Sequence, residues 1–269
     1  MTDDISAVIF DLAGTTVDYG SLAPAEAFVE LFARHGVRIT VEEARGPMGT
    51  HKRDHIQALL DTPRIAGEWR AAEGGEPTEE VLSALYAEFI PLQVACLDRY
   101  SDLIPGTLKA LDLIRDMGAC IGVTTGYNRE MLDIVLQAAG RQGFVPDAAV
   151  CAEDVREGRP APWMLFRAME QLGTYPPPLV VAVGDTIPDI QAGLNAGVWT
   201  IGVTKTGNML GLGRAATEAL DPAELRDRLG RAERRMKAAG AHVVVDSINE
   251  CPAAVEQIRD RLAAGERPR

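Results

Sequence analysis

The sequence predicts an α/β protein, a doubly wound, Rossmann-like parallel sheet interrupted once by a long helical insertion. Three observations carry this. From about residue 105 onward, short apolar runs alternate with helix-period segments, the pattern of βαβ units. The first apolar run, residues 7–10, ends at Asp11 and is followed by Gly14, so a buried strand delivers a carboxylate to a sharp turn. Between about residues 21 and 99 no strand pattern occurs. The expected organisation is a core of residues 1–20 and 100–269, with residues 21–99 as an inserted helical domain.

Each element has a local reason. Residues 24–36 read as an amphipathic helix with Phe28, Leu31 and Phe32 on one face. A short segment at 41–44 leads into the breaker-rich turn Gly46-Pro47-Met48-Gly49-Thr50. Residues 51–60 then read as a helix, with Ile56, Leu59 and Leu60 apolar and Thr50 as its N-cap. Two more helices, from Pro63 onward and at 78–97, flank the loose stretch 74–77. In the core, helices are expected at 105–117, 128–139, 162–172, 187–196, 221–239 and 251–262. Strands are expected at 120–124, 148–151, 179–183, 200–203 and 242–245.

A chain of 269 residues allows a sizeable core plus a substantial insertion. Its net charge of −12, from 27 basic and 39 acidic residues, argues against nucleic acid or an anionic membrane as a partner. Any anionic substrate must then be drawn by local cations. The cysteines, Cys96, Cys120, Cys151 and Cys251, form no CxxC pair and read as free thiols of a reducing compartment. Asp3 and Asp4 run directly into a strand, and no apolar run reads as long enough to span a bilayer. A cytoplasmic protein is expected.

The chemistry gathers at strand ends, where open α/β sheets bind ligands. Asp11 ends the first strand and Thr125-Gly126 follows the second. Arg159 comes after the third, and Asp185 ends the fourth with Asp189 one helical turn on. Two carboxylates at neighbouring strand ends suit Mg²⁺, while a threonine hydroxyl and an arginine fork suit phosphoryl oxygens. Taken singly, each has a plainer explanation as a turn or helix cap.

These stretches, FDLAGTT, TTG, Arg159-Pro160 and GDTIPD, resemble the four motifs of the haloacid dehalogenase superfamily. The resemblance implies Asp11 as nucleophile and phosphoryl acceptor. It implies Mg²⁺ held by Asp11, the Ala13 carbonyl and Asp185, with Asp189 as a supporting carboxylate. The insertion then corresponds to a cap that closes over the site.

One position departs from the phosphatases of that superfamily, which carry a second aspartate two residues after the nucleophile as general acid and base. Here it is Ala13, whose methyl group moves no proton. Hydrolysis of ordinary phosphate esters, with their basic alkoxide leaving groups, is expected to be poor. The insertion offers another route. His51, Lys52 and Arg53 sit in the first turn of a helix, where cations oppose the dipole. Together with Arg53 and His55 this disfavours the Lys52 ammonium and suits it to Schiff-base chemistry. The plainer alternative is a solvated basic face.

The combination of Ala13, the PMGTHKRDH stretch, TTGYNREM, GRPAPWM and GDTIPDI resembles the phosphonatase (phosphonoacetaldehyde hydrolase) family within that superfamily. This implies a Schiff base on Lys52 that takes up the electrons of a C–P bond while Asp11 captures phosphorus. Thr125, Gly126 and Arg159 hold the phosphonyl oxygens, and His55, Met48 and Tyr127 shape the site or relay protons. Ser21 stands where some members have cysteine. The resemblance further implies a homodimer through cap helices and a role in breaking down 2-aminoethylphosphonate. The alternatives are a capped phosphatase or phosphomutase acting on small esters, and a non-catalytic Mg²⁺-dependent binding protein.

Overall fold

The computed structural model describes residues 4–268, apart from the side chain of Asp98. The chain runs β1 (Ala7–Asp11), α1 (Leu22–Arg34), α2 (Val41–Arg45), α3 (Lys52–Leu60), α4 (Pro63–Glu73), α5 (Glu79–Tyr100) and α6 (Thr107–Asp116). It continues through β2 (Cys120–Thr125), α7 (Arg129–Arg141), β3 (Ala148–Cys151), α8 (Trp163–Leu172), β4 (Val180–Gly184) and α9 (Ile187–Ala196). It closes with β5 (Trp199–Val203), α10 (Arg214–Glu218), α11 (Pro222–Ala238), β6 (Val243–Val245) and α12 (Cys251–Ala263).

The six strands form one sheet in the order β3-β2-β1-β4-β5-β6, with every pairing parallel. The strand order reverses direction at β1, so the crevice beyond the carboxyl ends of β1, β2 and β4 is the topological switch point. β1 and β4 are buried throughout, as central parallel strands covered on both faces must be. Val8, Phe10 and Leu12 point into a large apolar cluster with residues of α6, α7 and α12. Ala7 and Ile9 point the other way, against α8 and α9.

The predicted insertion is helical from α1 to α5. The chain leaves the sheet past Val17 and returns at Leu103, and these two residues bridge each other. Phe28, Leu31, Phe32, Ile56, Leu59 and Leu60 are buried as their spacing predicts, in an apolar cluster continuous with that of the sheet. The four cysteines are free.

Two expectations are corrected and one element is added. Thr50 does not cap α3: its hydroxyl donates to the Pro47 carbonyl, and the cap is His51, whose ring nitrogen accepts from the Arg53 N–H at 3.3 Å. The turn 46–50 is tight enough to use the threonine internally. The short helix α10 was not anticipated, because five residues carry too little periodicity to register. Finally, Glu79–Leu97 of α5 is long and apolar enough to cross a membrane by length and composition. No unbroken apolar run produces this; the average simply absorbs Glu88 and Gln93. Leu82, Leu85, Phe89 and Leu97 of this helix are buried, and it packs on α1, α3 and α7.

Candidate active site

Asp11 is the last residue of β1 and is buried. Its Oδ1 accepts from Arg159 Nη1 at 2.7 Å, and the same nitrogen lies 2.6 Å from Asp189 Oδ1. Arg159 Nη2 donates to the carbonyl and hydroxyl of Thr124, at 2.9 and 2.7 Å. One guanidinium thus ties together groups at or just past the ends of β1, β2 and β4, in the fork geometry that lysine lacks.

Asp185 follows β4 and is completely buried. Its Oδ2 accepts from the Asn208 N–H at 2.6 Å, while among the described residues its buried Oδ1 has no partner. Gly14 and Gly207 press so closely on this carboxylate that a Cβ on either would overlap it. Asp185 does not cap α9. That role falls to Thr186, which forms a capping box with Asp189. Asp189 Oδ2 accepts from the Thr186 N–H at 2.9 Å and from its hydroxyl at 2.5 Å, and Oδ1 is taken by Arg159.

Asp11, Asp185 and Asp189 each offer an oxygen, all within 4.8 Å of one another. Asp189 is committed on both oxygens, which leaves Asp11 and Asp185 as the available donors. An orphaned buried carboxylate oxygen beside a second carboxylate fits a hard divalent cation such as Mg²⁺. Burial pushes the Asp11 carboxyl up to about 6 despite the opposing pull of Arg159. Asp185 is pushed well above the usual carboxylate range, chiefly by burial and then by Asp11 and Asp189. Such a pair is costly without a compensating cation.

Lys52 is the first residue of α3 and is only 4% exposed. Its Nζ lies 5.4 Å from the centre of the Tyr127 ring and 5.7 Å from that of Phe28. Burial lowers its ammonium to about 8; Asp11 opposes this and Arg159 reinforces it. The expectation that Arg53 and His55 do the lowering is corrected. Arg53 pairs with Glu79 at the surface. His55 is buried, with its titration pushed well below the imidazole range, so it is neutral. His55 Nε2 donates to the Ala44 carbonyl at 2.8 Å, and its ring stacks on Phe28 at 3.8 Å.

One small cavity brings these groups together. Asp11, Ala13, Ser21 and Pro24 line it from β1 and the start of the insertion. Met48, Gly49 and Lys52 come from the turn before α3 and its first residue, and Thr125, Gly126 and Tyr127 from the end of β2 and the loop beyond. Arg159, Asp185 and Thr186 complete the lining. Of the residues predicted from sequence, only His55 and Asp189 do not line it. His55 stands behind Phe28, and Asp189 behind Arg159 and Thr186. The turn before α3 packs tightly on the loops that follow β2 and β4. A Cβ on Gly126 would fall 2.8 Å from the Thr50 carbonyl oxygen, and one on Gly49 would overlap the Thr186 hydroxyl.

Several participants were missed in the sequence. Thr186 and Thr124 adjoin recognised residues and could have been read from the same motifs. Phe28 reads from its spacing as a core residue, and it is one, with its ring reaching Lys52. Asn208 is remote from every motif and carries no local signal.

Comparison with known proteins follows the same lines. The profile of the haloacid dehalogenase-like hydrolases matches residues 5–197, and a related HAD-hydrolase-like profile matches residues 156–251. A phosphonoacetaldehyde hydrolase of Syntrophobacter fumaroxidans is 45% identical over 267 residues, covering 99% of this chain and 96% of its own. One from Paraburkholderia xenovorans is 45% identical over 264 residues, covering 98% and 99%. The crystal structure of a phosphonoacetaldehyde hydrolase-like protein from Oleispira antarctica superposes with a TM-score of 0.97 at 41% identity, covering 98% of this chain and 96% of that one.

Proposed function

Because the chain belongs to the haloacid dehalogenase-like hydrolases and is related along its whole length to phosphonoacetaldehyde hydrolases, we propose that it cleaves the C–P bond of phosphonoacetaldehyde, releasing acetaldehyde and phosphate. The observation that carries this is the pairing of a buried amine, Lys52, with Asp11 in a cavity where Ala13 offers no proton. A C–P bond leaves its electrons on carbon, and a bare carbanion is a poor leaving group. Neutral Lys52 adds to the aldehyde and, with uptake of one proton, expels water to give an iminium. Asp11 attacks phosphorus, the C–P bond breaks, and its electron pair enters the iminium to form an enamine. Protonation at carbon and hydrolysis release acetaldehyde and restore Lys52. Water then frees phosphate from the aspartyl phosphate. An electron sink thus takes the place of the general acid missing at Ala13.

In this reading residues 21–99 are a cap and the remainder a catalytic core. Arg159, Thr125 and the N–H groups around Gly126 hold the phosphonyl oxygens. Asp11, the Ala13 carbonyl and Asp185 would hold Mg²⁺, with Asp189 fixing Arg159 beside them. A bound cation there would neutralise charge on the transferring group and keep both carboxylates ionised. The aromatic faces of Phe28 and Tyr127 favour a cation at Lys52 Nζ, and an iminium is one. Tyr127, whose phenol burial holds protonated, and Met48 shape the cavity; His55 fixes Phe28. We place the protein in the cytoplasm, in 2-aminoethylphosphonate breakdown, as a homodimer.

Borohydride added with phosphonoacetaldehyde should inactivate the enzyme irreversibly and leave a mass adduct on Lys52. Absence of both, with brisk hydrolysis of p-nitrophenyl phosphate, would favour a capped phosphatase instead.

A further inference from the structure

Arg45 ends α2, just before the turn that carries Met48 and Gly49 into the cavity and leads to Lys52. Its Nη1 donates to the carbonyls of Gly20 and Ser21, at 2.9 and 3.2 Å, and to Asn208 Oδ1 at 3.0 Å. Asn208 answers by donating its Nδ2 to the Arg45 carbonyl at 3.3 Å. The two contacts fix the amide's orientation, since its oxygen faces a donor and its nitrogen an acceptor. The Asn208 main-chain N–H is the same group that holds Asp185 Oδ2 at 2.6 Å. Gly211, at φ +67, makes room for the guanidinium, because a Cβ there would fall 2.8 Å from Arg45 Nε. The loop carrying Asn208 is also clasped to the β1 turn: Gly20 N–H donates to the Thr206 carbonyl at 2.7 Å, and the Thr206 hydroxyl donates to the Gly14 carbonyl at 2.9 Å.

From this chain of contacts we infer that Arg45 and Asn208 form a latch that couples seating of the Lys52-bearing segment to the orientation of the Asp185 carboxylate. It rests on the reading of residues 21–99 as a cap and of Asp185 as a cation ligand. Both are positioning residues. With the latch made, Asp185 Oδ2 is pinned and Oδ1 is left facing the site. With it broken, the Asn208 loop loses its hold on the insertion, and the carboxylate loses its fixed direction. The amine and the metal-binding oxygen then come into register together.

The test needs no turnover. Thermal unfolding across a Mg²⁺ titration gives a stabilisation midpoint for the unsubstituted protein, Arg45→Met, Asn208→Ala and the double variant. Each single variant should raise that midpoint about tenfold, as supporting contacts to metal ligands typically do. The double variant should be no worse than either single. Should Arg45→Met fail to fold, Arg45→Lys keeps the charge without the fork and serves instead. Singles that lower the Mg²⁺-free Tm yet leave the midpoint in place would show a purely structural staple and overturn the latch. Midpoint changes that multiply in the double variant would overturn it too, as two independent contacts. If Mg²⁺ fails to stabilise even the unsubstituted protein, the latch falls together with the metal site. If the midpoints move as expected while borohydride traps nothing, the latch stands and the Schiff-base chemistry falls.

Discussion

Replacing Lys52 by methionine should make this protein more stable and inactive at once. The ammonium is buried between Phe28, Tyr127 and the carboxylates, and its titration is lowered from 10.5 to about 8. Carrying the charge in the folded state at neutral pH therefore costs about 3 kcal/mol relative to the unfolded chain. Methionine keeps the length and apolar stem without the charge, and Asp11 retains Arg159 as a partner. At pH 7, free of Mg²⁺, the variant should gain up to about 3 kcal/mol, a rise of roughly 5–10 °C in Tm. The sign is set by proton uptake. Between pH 8 and 10.5 the unfolded chain holds the lysine proton that the native state has released, so wild-type stability rises with pH across that window. The variant's advantage should thus be complete below pH 8 and gone by about pH 10.5. Urea denaturation at pH 7, 9 and 10.5 reads this directly. A variant no more stable than wild type at pH 7, or an advantage that persists at pH 10.5, refutes the account of Lys52 as a destabilising buried cation.

Reductive trapping by borohydride should accelerate as pH rises toward about 8 and then level off, because only the free amine adds to an aldehyde; a flat profile from pH 6 to 9 contradicts this. Ala13→Asp restores a proton donor and acceptor beside Asp11. Hydrolysis of a simple alkyl phosphate should rise by on the order of 10²-fold, and an unchanged rate in a correctly folded variant would count against the role assigned to the missing carboxylate. Gly126→Ala places a methyl group 2.8 Å from the Thr50 carbonyl. Closure should weaken by about 1–3 kcal/mol, seen as a roughly ten- to hundredfold loss in kcat/KM; full activity would mean the lobes do not need to meet there.

The parallel core was legible because short, mainly apolar runs alternate with helix-period segments from about residue 105 onward. Asp11 and Asp185 could be read because each stands at or just past the end of a short apolar strand, and Arg159 because it sits in a recognisable motif in the loop after β3. The electrostatics of Lys52 were only half legible. The direction of its shift follows from the sequence, but the cause does not: the sequence points to neighbours along α3, whereas Arg53 turns to Glu79 and the lowering comes from burial and from Arg159. Burial depends on how α1, α3 and α5 close over the sheet, and no window of residues holds that. Asn208 fails to stand out for a similar reason: its partners lie 163 and 23 residues away.

The meeting of Gly126 with Thr50, and of Gly49 with Thr186, has a bearing on selectivity. If residues 21–99 act as the proposed cap, the clearance beneath it is fixed at Gly126 by the Thr50 main chain, and at Gly49 by the Thr186 side chain, which its capping box with Asp189 holds in place. An aldehyde a few atoms longer would prop the halves apart and strand the amine away from the acceptor. Exclusion of bulkier molecules would then rest on two glycines that carry no reactive side chain, and enlarging the repertoire would require remodelling the rim instead of exchanging a reactive group.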